Sequence, residues 1–222
     1  MPVTKNEQTL NILTHTTVRN PNITANDFVL ILYLKYMIWK LNNKYILEVS
    51  SDDMKRWTGL SDKMLKKSLH NLFAQNYLLN EVGKRTPNKP VLLTINKENF
   101  DSENRRDGEY FSSMPIKLLY ALKDGKLNPK EVRFLYYLKS YINVKNKAKL
   151  FCYAGIDTRM KNELHMSKPT IIELHSELEK KKLISVTQHK WGTNYEYDDN
   201  DKLIHKRFNN HYFIEFENID KL

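Results

Sequence analysis

Two stretches decide the fold expected of this chain: Leu60-Ser-Asp-Lys-Met-Leu-Lys-Lys-Ser-Leu-His-Asn-Leu72 and Met166-Ser-Lys-Pro-Thr-Ile-Ile-Glu-Leu-His-Ser-Glu-Leu178. Each has a serine at its second position, where the hydroxyl can accept a free backbone N–H and cap a helix. Apolar residues then recur at spacings of three and four, which marks one buried helix face. The second stretch starts 106 residues after the first. The sequence therefore predicts two related helices, one in each half of the chain.

An earlier pair of stretches repeats in the same way. Ile23-Thr-Ala-Asn-Asp-Phe-Val-Leu-Ile-Leu-Tyr-Leu-Lys35 matches Leu127-Asn-Pro-Lys-Glu-Val-Arg-Phe-Leu-Tyr-Tyr-Leu-Lys139, here at an offset of 104 residues. Both have a polar residue suited to capping at the second position and an acidic residue at the fifth, and both end in Tyr-Leu-Lys. An offset this constant over about 60 residues indicates two copies of one structural unit.

Both halves are expected to contain the same elements in the same order. A long helix should start after Thr24 or Asn128, and Pro129 suits a first helical turn. In the first half the following elements are expected at 44–49 (strand), 52–58 (helix), 59–60 (turn), the helix capped by Ser61, then strands at 77–82 and 91–95. In the second half we expect a strand at 149–153, a helix at 158–163, a turn at 164–166, the helix capped by Ser167, and then strands at 183–188 and 212–216.

This order of helix, strand, helix, turn, helix and hairpin is that of a winged helix. The predicted fold class is mainly α with small β-hairpins (α+β), as two tandem winged helix-turn-helix domains. The first domain spans 1–98 and the second spans 110–222. The segment 99–109 is polar and lacks periodicity, which is typical of a linker.

The stretch from Ser167 to Ile184 resembles the recognition helix and first wing strand of many bacterial winged-helix proteins, and Ser61–Leu79 is a looser match. Two such units in a basic chain are similar to the tandem winged-helix replication initiators of bacterial plasmids. They also resemble the N-terminal domains of replisome organisers of the DnaD type, whose opening is similar to Tyr110-Phe-Ser-Ser-Met-Pro-Ile-Lys-Leu-Leu. His175 departs from the family pattern, which usually has an apolar residue there. The resemblance implies DNA binding; it does not separate initiators from regulators.

Composition agrees with such a partner without proving it. The formal net charge is +10, and the sequence pI of about 9.4 favours contact with nucleic acid or with an anionic membrane surface. A single cysteine excludes an internal disulfide framework. No apolar stretch is long enough to span a bilayer, and the N-terminus lacks a signal-peptide core. We therefore expect a bacterial cytoplasmic protein, associated with the nucleoid or a plasmid, with no membrane partner.

The first recognition helix supplies the main candidate DNA contacts. The face opposite its buried leucines carries four basic or potentially basic groups, and two polar residues stand at its start. These candidates are Ser61, Asp62, Lys63, Lys66, Lys67 and His70. A wing tip rich in Gly and Pro adds Lys84, Arg85 and Lys89, which can reach phosphates or the minor groove. The alternatives are an ordinary solvated lysine face and a plain hairpin turn.

The second recognition helix carries a mixed charge. Its candidate contacts are Ser167, Lys168, Thr170, Ile172 and Ser176, joined by Lys190, Lys206 and Arg207 of a long wing. Glu173, Glu177 and Glu179 lie among them and would repel phosphates unless one accepts from a cytosine amino group. The wing also holds the acidic run 198–201, which lacks the spacing of a calcium loop. We expect this unit to be a weaker DNA reader or partly a protein-contact module.

The remaining chemistry-bearing residues are expected to be structural. His175 is interpreted as a hydrogen-bonded core histidine, Cys152 as a small buried residue, and the aromatic run 134–141 as core. The sequence has no phosphate-cradling glycine loop, no zinc-type His or Cys pairs and no nicking-type His pair. We therefore expect no catalysis, no cofactor and no metal.

Three functions remain open on these residues. The first is sequence-specific binding of double-stranded DNA to initiate or organise replication of a plasmid or phage. The second is transcriptional regulation of a mobile element, and the third is an adaptor that uses winged helices as docking surfaces. Replication proteins or a second copy of the chain are the protein partners considered.

Overall fold

The chain forms a mixed α+β structure of helices and small antiparallel two-stranded sheets. The computed structural model describes residues 8–83, 89–100, 108–142, 146, 150–188, 192–197, 202–206 and 210–222; for 192–196 and 203–206 it describes the backbone alone. The helices are α1 (Ala25–Lys40), α2 (Ser51–Thr58), α3 (Asp62–Ala74), α4 (Lys117–Lys123), α5 (Pro129–Tyr141), α6 (Lys161–Leu164), α7 (Lys168–Lys180) and α8 (Phe216–Ile219). The strands are β1 (Thr9–Leu13), β2 (Ile46–Val49), β3 (Val91–Thr94), β4 (Phe111–Pro115), β5 (Ile184–Thr187), β6 (Gly192–Tyr197), β7 (Leu203–Lys206) and β8 (His211–Ile214).

The long helices α1 and α5 pack against each other at the centre of the molecule. Both begin where the sequence predicts. Thr24 and Asp27 form a reciprocal capping box at α1, and Asn128 and Glu131 form the same box at α5. Both helices are buried almost all round, as expected of helices inside a core. The aromatic run of α5 is part of that core, as predicted.

The turns before α3 and α7 have the same local geometry. A residue in the left-handed region ends the preceding helix, Gly59 with φ 68° in one half and His165 with φ 51° in the other. Ser61 then accepts from the backbone N–H of Met64, and Ser167 accepts from that of Thr170. Both predicted serine caps are thus confirmed. The two serines lie 106 residues apart, and so do Gly59 and His165.

A matching turn follows each of these helices. Asn76 and Lys182 have positive φ, and the next residue donates its backbone N–H to a leucine carbonyl five residues back. The pairs are Tyr77 with Leu72 and Leu183 with Leu178, at 2.8 and 2.9 Å. This C-terminal geometry satisfies helix carbonyls that would otherwise lack a donor.

Each half has a short sheet in which the returning strand is central. In the first half β3 pairs with β2 and forms one bridge to Leu78 through Ile95. In the second half β8 pairs with β5 and forms one bridge to Cys152 through Tyr212. The prediction of a strand at 77–82 is therefore wrong, because only the bridge at Leu78 forms. After it, the Asn80 side chain takes the place of a strand backbone and bonds Leu92 O and Thr94 N of β3. Lys149 lies outside the described residues, and within 150–153 the predicted strand is reduced to the bridge at Cys152.

One sheet joins the two halves and was not expected from the sequence. β1 pairs antiparallel with β4, and the buried residues of both halves form one hydrophobic cluster. Glu109 ends the segment that is predicted to be a linker. Glu109 is buried, and its carboxylate accepts from the backbone N–H groups of His15 and Thr16 at 2.7 and 3.0 Å. Residues 101–107 lie outside the described residues, and the domain boundaries stay a prediction.

Substitutions at the two left-handed turn residues, Gly59 and His165, should have opposite effects on stability. Gly59→Ala should lower the free energy of unfolding by about 1 kcal/mol, because an L side chain is strained at positive φ. His165→Gly should raise it by up to about 1 kcal/mol for the same reason. Urea denaturation would measure both. Gly83→Ala is the matched control, since a methyl group meets no atom within 4 Å at either glycine and Gly83 lacks positive φ. Equal effects at Gly59 and Gly83 would contradict this account.

Candidate functional site

The outer face of α3 carries three exposed lysines. Leu65, Leu69 and Leu72 are buried on the opposite face, as their spacing predicts. Lys63, Lys66 and Lys67 point to solvent. None of the three forms an ion pair with another residue that the structure describes. Because these charges are not neutralised by described neighbours, the face is available to an anionic partner.

The other α3 candidates already have partners. Asp62 lies 3.4 Å from the Lys55 ammonium, which also contacts Asp52 at 2.8 Å. His70 Nδ1 lies 3.5 Å from a carboxylate oxygen of Glu81. The hydroxyl of Ser61 is used in the helix cap, so that residue contributes to positioning the helix. The cationic surface at α3 is therefore narrower than the sequence predicts and consists of the three lysines.

The candidates on α7 are exposed except for the half-buried Thr170, and three of the five already have partners. Lys168 bonds the carboxylate of Asp157 at 2.7 Å, and both side chains are at the surface. The hydroxyls of Ser167 and Thr170 lie 3.0 Å apart in the cap. Ile172 is 49% exposed, which leaves an apolar side chain in the middle of this face. Ser176 is exposed. A lysine that is paired with a carboxylate attracts a phosphate less strongly than a lysine without such a partner.

A cleft of about 340 Å³ lies between the halves, and the acidic residues of α7 line it. One wall is formed by Asn26, Gly59 and Met64. The other is formed by Asn128, Pro129, Lys130, Glu131, Thr170, Glu173, Leu174 and Glu177. Glu177 also bonds Lys180 at 2.8 Å, and this contact lowers the pKa of its carboxyl group. Sequence reasoning missed this cleft because it joins residues of the two halves that are more than 60 positions apart.

The wing candidates are mostly beyond what the structure describes. Lys84, Arg85, Lys190 and Arg207 lie outside the described residues, as does the acidic run 198–201. Lys206 ends β7, where the backbone alone is described, and Lys89 is exposed. β6 and β7 pair within the segment expected to form the long second wing. The predicted roles of these side chains therefore stay predictions.

His175 is a core residue, as predicted, but its hydrogen bonding is not as expected. Its ring is buried between those of Phe134 and Tyr212, at centroid distances of 5.1 and 4.6 Å. Nε2 has no hydrogen-bond partner among the described residues. Burial lowers the pKa of the imidazole from 6.5 to about 4. The residue is thus neutral at physiological pH and packs as an aromatic ring.

Cys152 is also a buried core residue, as predicted. Burial raises the pKa of its thiol to about 12, which keeps the sulfur protonated and unreactive at neutral pH.

Within the described ranges, no group of three or more His, Cys, Asp or Glu side chains could hold a metal ion. No helix in that part of the chain is both long and apolar enough to cross a membrane. Comparison of the sequence with models of known protein families and with curated proteins gives no match.

The burial of His175 predicts acid sensitivity. The unfolded chain binds a proton near pH 6.5 and the folded chain only near pH 4. Stability from this group is therefore complete above pH 6.5 and falls between pH 6.5 and about 4, by at most about 3 kcal/mol. His175→Phe should reduce the fall of the unfolding free energy between pH 6.5 and about 4, as measured by urea denaturation. His70→Gln removes an exposed histidine as the control; if it flattens the curve as much, the assignment to His175 is wrong.

Proposed function

We propose that this chain is a sequence-specific double-stranded DNA-binding protein that reads DNA with two winged helices and initiates or organises the replication of a plasmid or phage. The observation that carries this is the α3 surface. Three exposed lysines lie on the helix that follows a tight turn, and none has an ionic partner among the described residues. In a helix-turn-helix this helix enters the major groove.

The element order supports the assignment to winged helices. Each half has a long helix, a short helix, a left-handed turn, a serine-capped helix and a returning strand central in a small sheet. The turn places the capped helix at the surface with its apolar face inward. The same order in both halves agrees with the repeat in the sequence.

The charge pattern supports DNA over other anions. Lysines at spacings of three and four residues lie along one stripe of α3, which suits a regular array of phosphates. The net charge of +10 adds a field that attracts a polyanion at long range. The proposal places the protein with replicating DNA in the bacterial cytoplasm.

The two units contribute unequally in this proposal. The α3 face presents three lysines without described ionic partners, whereas the α7 face presents Lys168 bound to Asp157 and lies beside Glu173 and Glu177. The first unit therefore supplies most of the DNA affinity. The second adds a weaker contact or a protein interface, for replication proteins or a second copy.

One observation favours a rival function for the second unit. Ile172 is 49% exposed on α7 and is followed by Glu173, which suits a protein partner better than phosphates. A footprint across the DNA around the gene separates the candidates. Repeated sites beside an AT-rich segment indicate initiation, and one site over a promoter indicates regulation. The absence of any footprint indicates the adaptor and contradicts our proposal.

Binding to duplex DNA should depend strongly on salt. Lysine–phosphate contacts release counterions, so the logarithm of the binding constant should fall with the logarithm of salt at about −0.9 per contact. We expect about four to six contacts, and thus a slope of roughly −4 to −5. Fluorescence anisotropy with a labelled duplex at several salt concentrations gives the slope. A flat dependence between low and physiological salt would contradict nucleic-acid binding.

The two helices should differ in a mutational test. Replacing Lys63, Lys66 and Lys67 together by Ala should weaken binding by about 3 kcal/mol, at roughly 1 kcal/mol per phosphate contact. Replacing Lys168, Thr170 and Ser176 should cost less, because Lys168 is already paired. Anisotropy titrations measure both losses, with folding checked by circular dichroism.

A charge-matched control removes three exposed lysines elsewhere, Lys44, Lys117 and Lys221. It should weaken binding far less than the α3 triple variant. Equal losses would mean that net charge alone drives binding, and a larger loss in the α7 variant would reverse the assignment of the two units.

A further inference from the structure

Two arginines from different halves of the chain meet at the ring of Tyr141. Arg19 precedes α1, and Arg159 lies 140 positions later in the sequence. The guanidinium carbon of Arg19 lies 3.6 Å from the centroid of the Tyr141 ring, and that of Arg159 lies 6.0 Å from it. Because both distances are measured to one point, the two guanidinium carbons lie within about 10 Å of each other. The pair exists only once the two halves have packed together.

Both guanidinium groups keep N–H donors for a ligand. Arg19 donates from Nε and Nη2 to the hydroxyl and the carbonyl of Ser140, at 2.9 and 2.7 Å, and no described residue accepts from its Nη1. Arg159 is exposed and bonds the hydroxyl of Tyr141. Neither arginine forms an ion pair with a residue that the structure describes. Two positive charges are therefore open to an anion at one place on the molecule.

The carboxylate of Glu163 lies close to this pair without neutralising it. One of its oxygens accepts from the hydroxyls of both Tyr137 and Tyr141, each at 2.7 Å. Two cations against one carboxylate leave a net positive charge. A planar guanidinium donates two N–H groups to the oxygens of a phosphate, whose phosphorus then lies roughly 4 Å from the guanidinium carbon. One phosphate can therefore accept from both arginines.

Arg159 lies on the helix that precedes the turn into α7. The π-helical turn Ile156–Met160 and α6 form this helix, and Asp157 near its start bonds Lys168 at the start of α7. In a helix-turn-helix the first helix crosses the DNA backbone and the second lies in the major groove. A strand that borders the groove holding α7 would therefore pass the arginine pair.

The equivalent position of the first half carries the opposite charge. Asp53 of α2 stands 106 residues before Arg159 and bonds Arg56 at 2.6 Å. These two charges neutralise each other, whereas the guanidinium groups at Tyr141 have no ionic partner among the described residues. The arginine pair thus distinguishes the second helix-turn-helix from the first.

From this geometry we infer that Arg19 and Arg159 together bind one backbone phosphate of the duplex that α7 contacts. This inference rests on the proposed function, because it concerns the same DNA. It makes the main contact of the second unit a contact to the backbone, which positions the protein and reads no bases. Since Arg19 belongs to the first half, the phosphate also holds the two halves together on the DNA.

The test uses the full chain and a duplex that this chain selects from a random pool. Arg159→Ala should weaken binding about fivefold and make the salt slope shallower by about 1, as expected for the loss of one phosphate contact. Arg56→Ala is the matched control, because it removes an exposed arginine that is already paired. It should change the affinity by less than about twofold. Circular dichroism checks the folding of each variant.

Methylphosphonate substitution, which removes the charge of one phosphate at a time, identifies the phosphate. At one position it should weaken binding of the wild type about fivefold and leave binding of Arg159→Ala unchanged. Arg19→Gln, which keeps a side chain that can bond Ser140, should be insensitive at that same position. Arg159 is exposed, so its variant tests the inference even if Arg19→Gln does not fold.

The possible results separate the inference from the proposed function. Unchanged affinity of Arg159→Ala would overturn the inference and leave DNA binding in place. Insensitivity of the two arginine variants at different phosphates would overturn it as well. If the wild-type chain enriches no duplex, the proposed function itself is wrong, and the inference fails with it.

Discussion

The guanidinium of Arg133 is the interaction on which the arrangement of the two halves depends. It is completely buried on α5 and donates to four main-chain carbonyls, those of Val18, Asn20, Glu163 and Leu164, at 2.9 to 3.4 Å. Two of these carbonyls belong to the first half and two belong to the segment just before α7. Burial lowers its pKa to about 10, so the group stays charged at neutral pH and holds its acceptors strongly. A buried cation is costly unless its acceptors are fixed in place, and here they fix the turn before α7 against the first half.

This link makes the candidate site a product of the whole chain. α3 is positioned by α1, where Asn71 bonds the Asp27 carboxylate at 2.7 Å. α7 is positioned by α5 in a chemically different way, since Lys181 bonds the Glu131 carboxylate at 2.7 Å. The same capping acid thus anchors the third helix in each half. Because α1 and α5 pack on one another, the orientation of α3 relative to α7 follows from the shared core.

In the proposed function, the difference between the halves arises from local ionic partners as well as from the glutamates of α7. Lys63, Lys66 and Lys67 have no ionic partners among the described residues, whereas Lys168 is bound by Asp157. In the sequence, Lys168 looks like an equal candidate. At the equivalent position of the first half the acid and the base are exchanged, since Asp62 on α3 is bound by Lys55 on α2. Exposed pairs of this kind contribute little to stability, but they reduce the charge that a helix end presents to an anion.

The sequence by itself determined the features that depend on near neighbours. Helix starts at Thr24, Ser61, Asn128 and Ser167 follow from side chains that bond backbone groups within three residues, and the buried leucines of α3 follow from their spacing. The pairing of β1 with β4, the carboxylate of Glu109 on residues 15 and 16, and the cleft between Met64 and Thr170 were decided only by the tertiary structure. The two sides of each of these contacts lie about 90 or more positions apart in the sequence. A short strand has no sequence pattern that identifies the distant strand with which it pairs. The physical reason is that local capping energies are set by a few adjacent atoms, whereas these contacts exist only once α1 and α5 have packed.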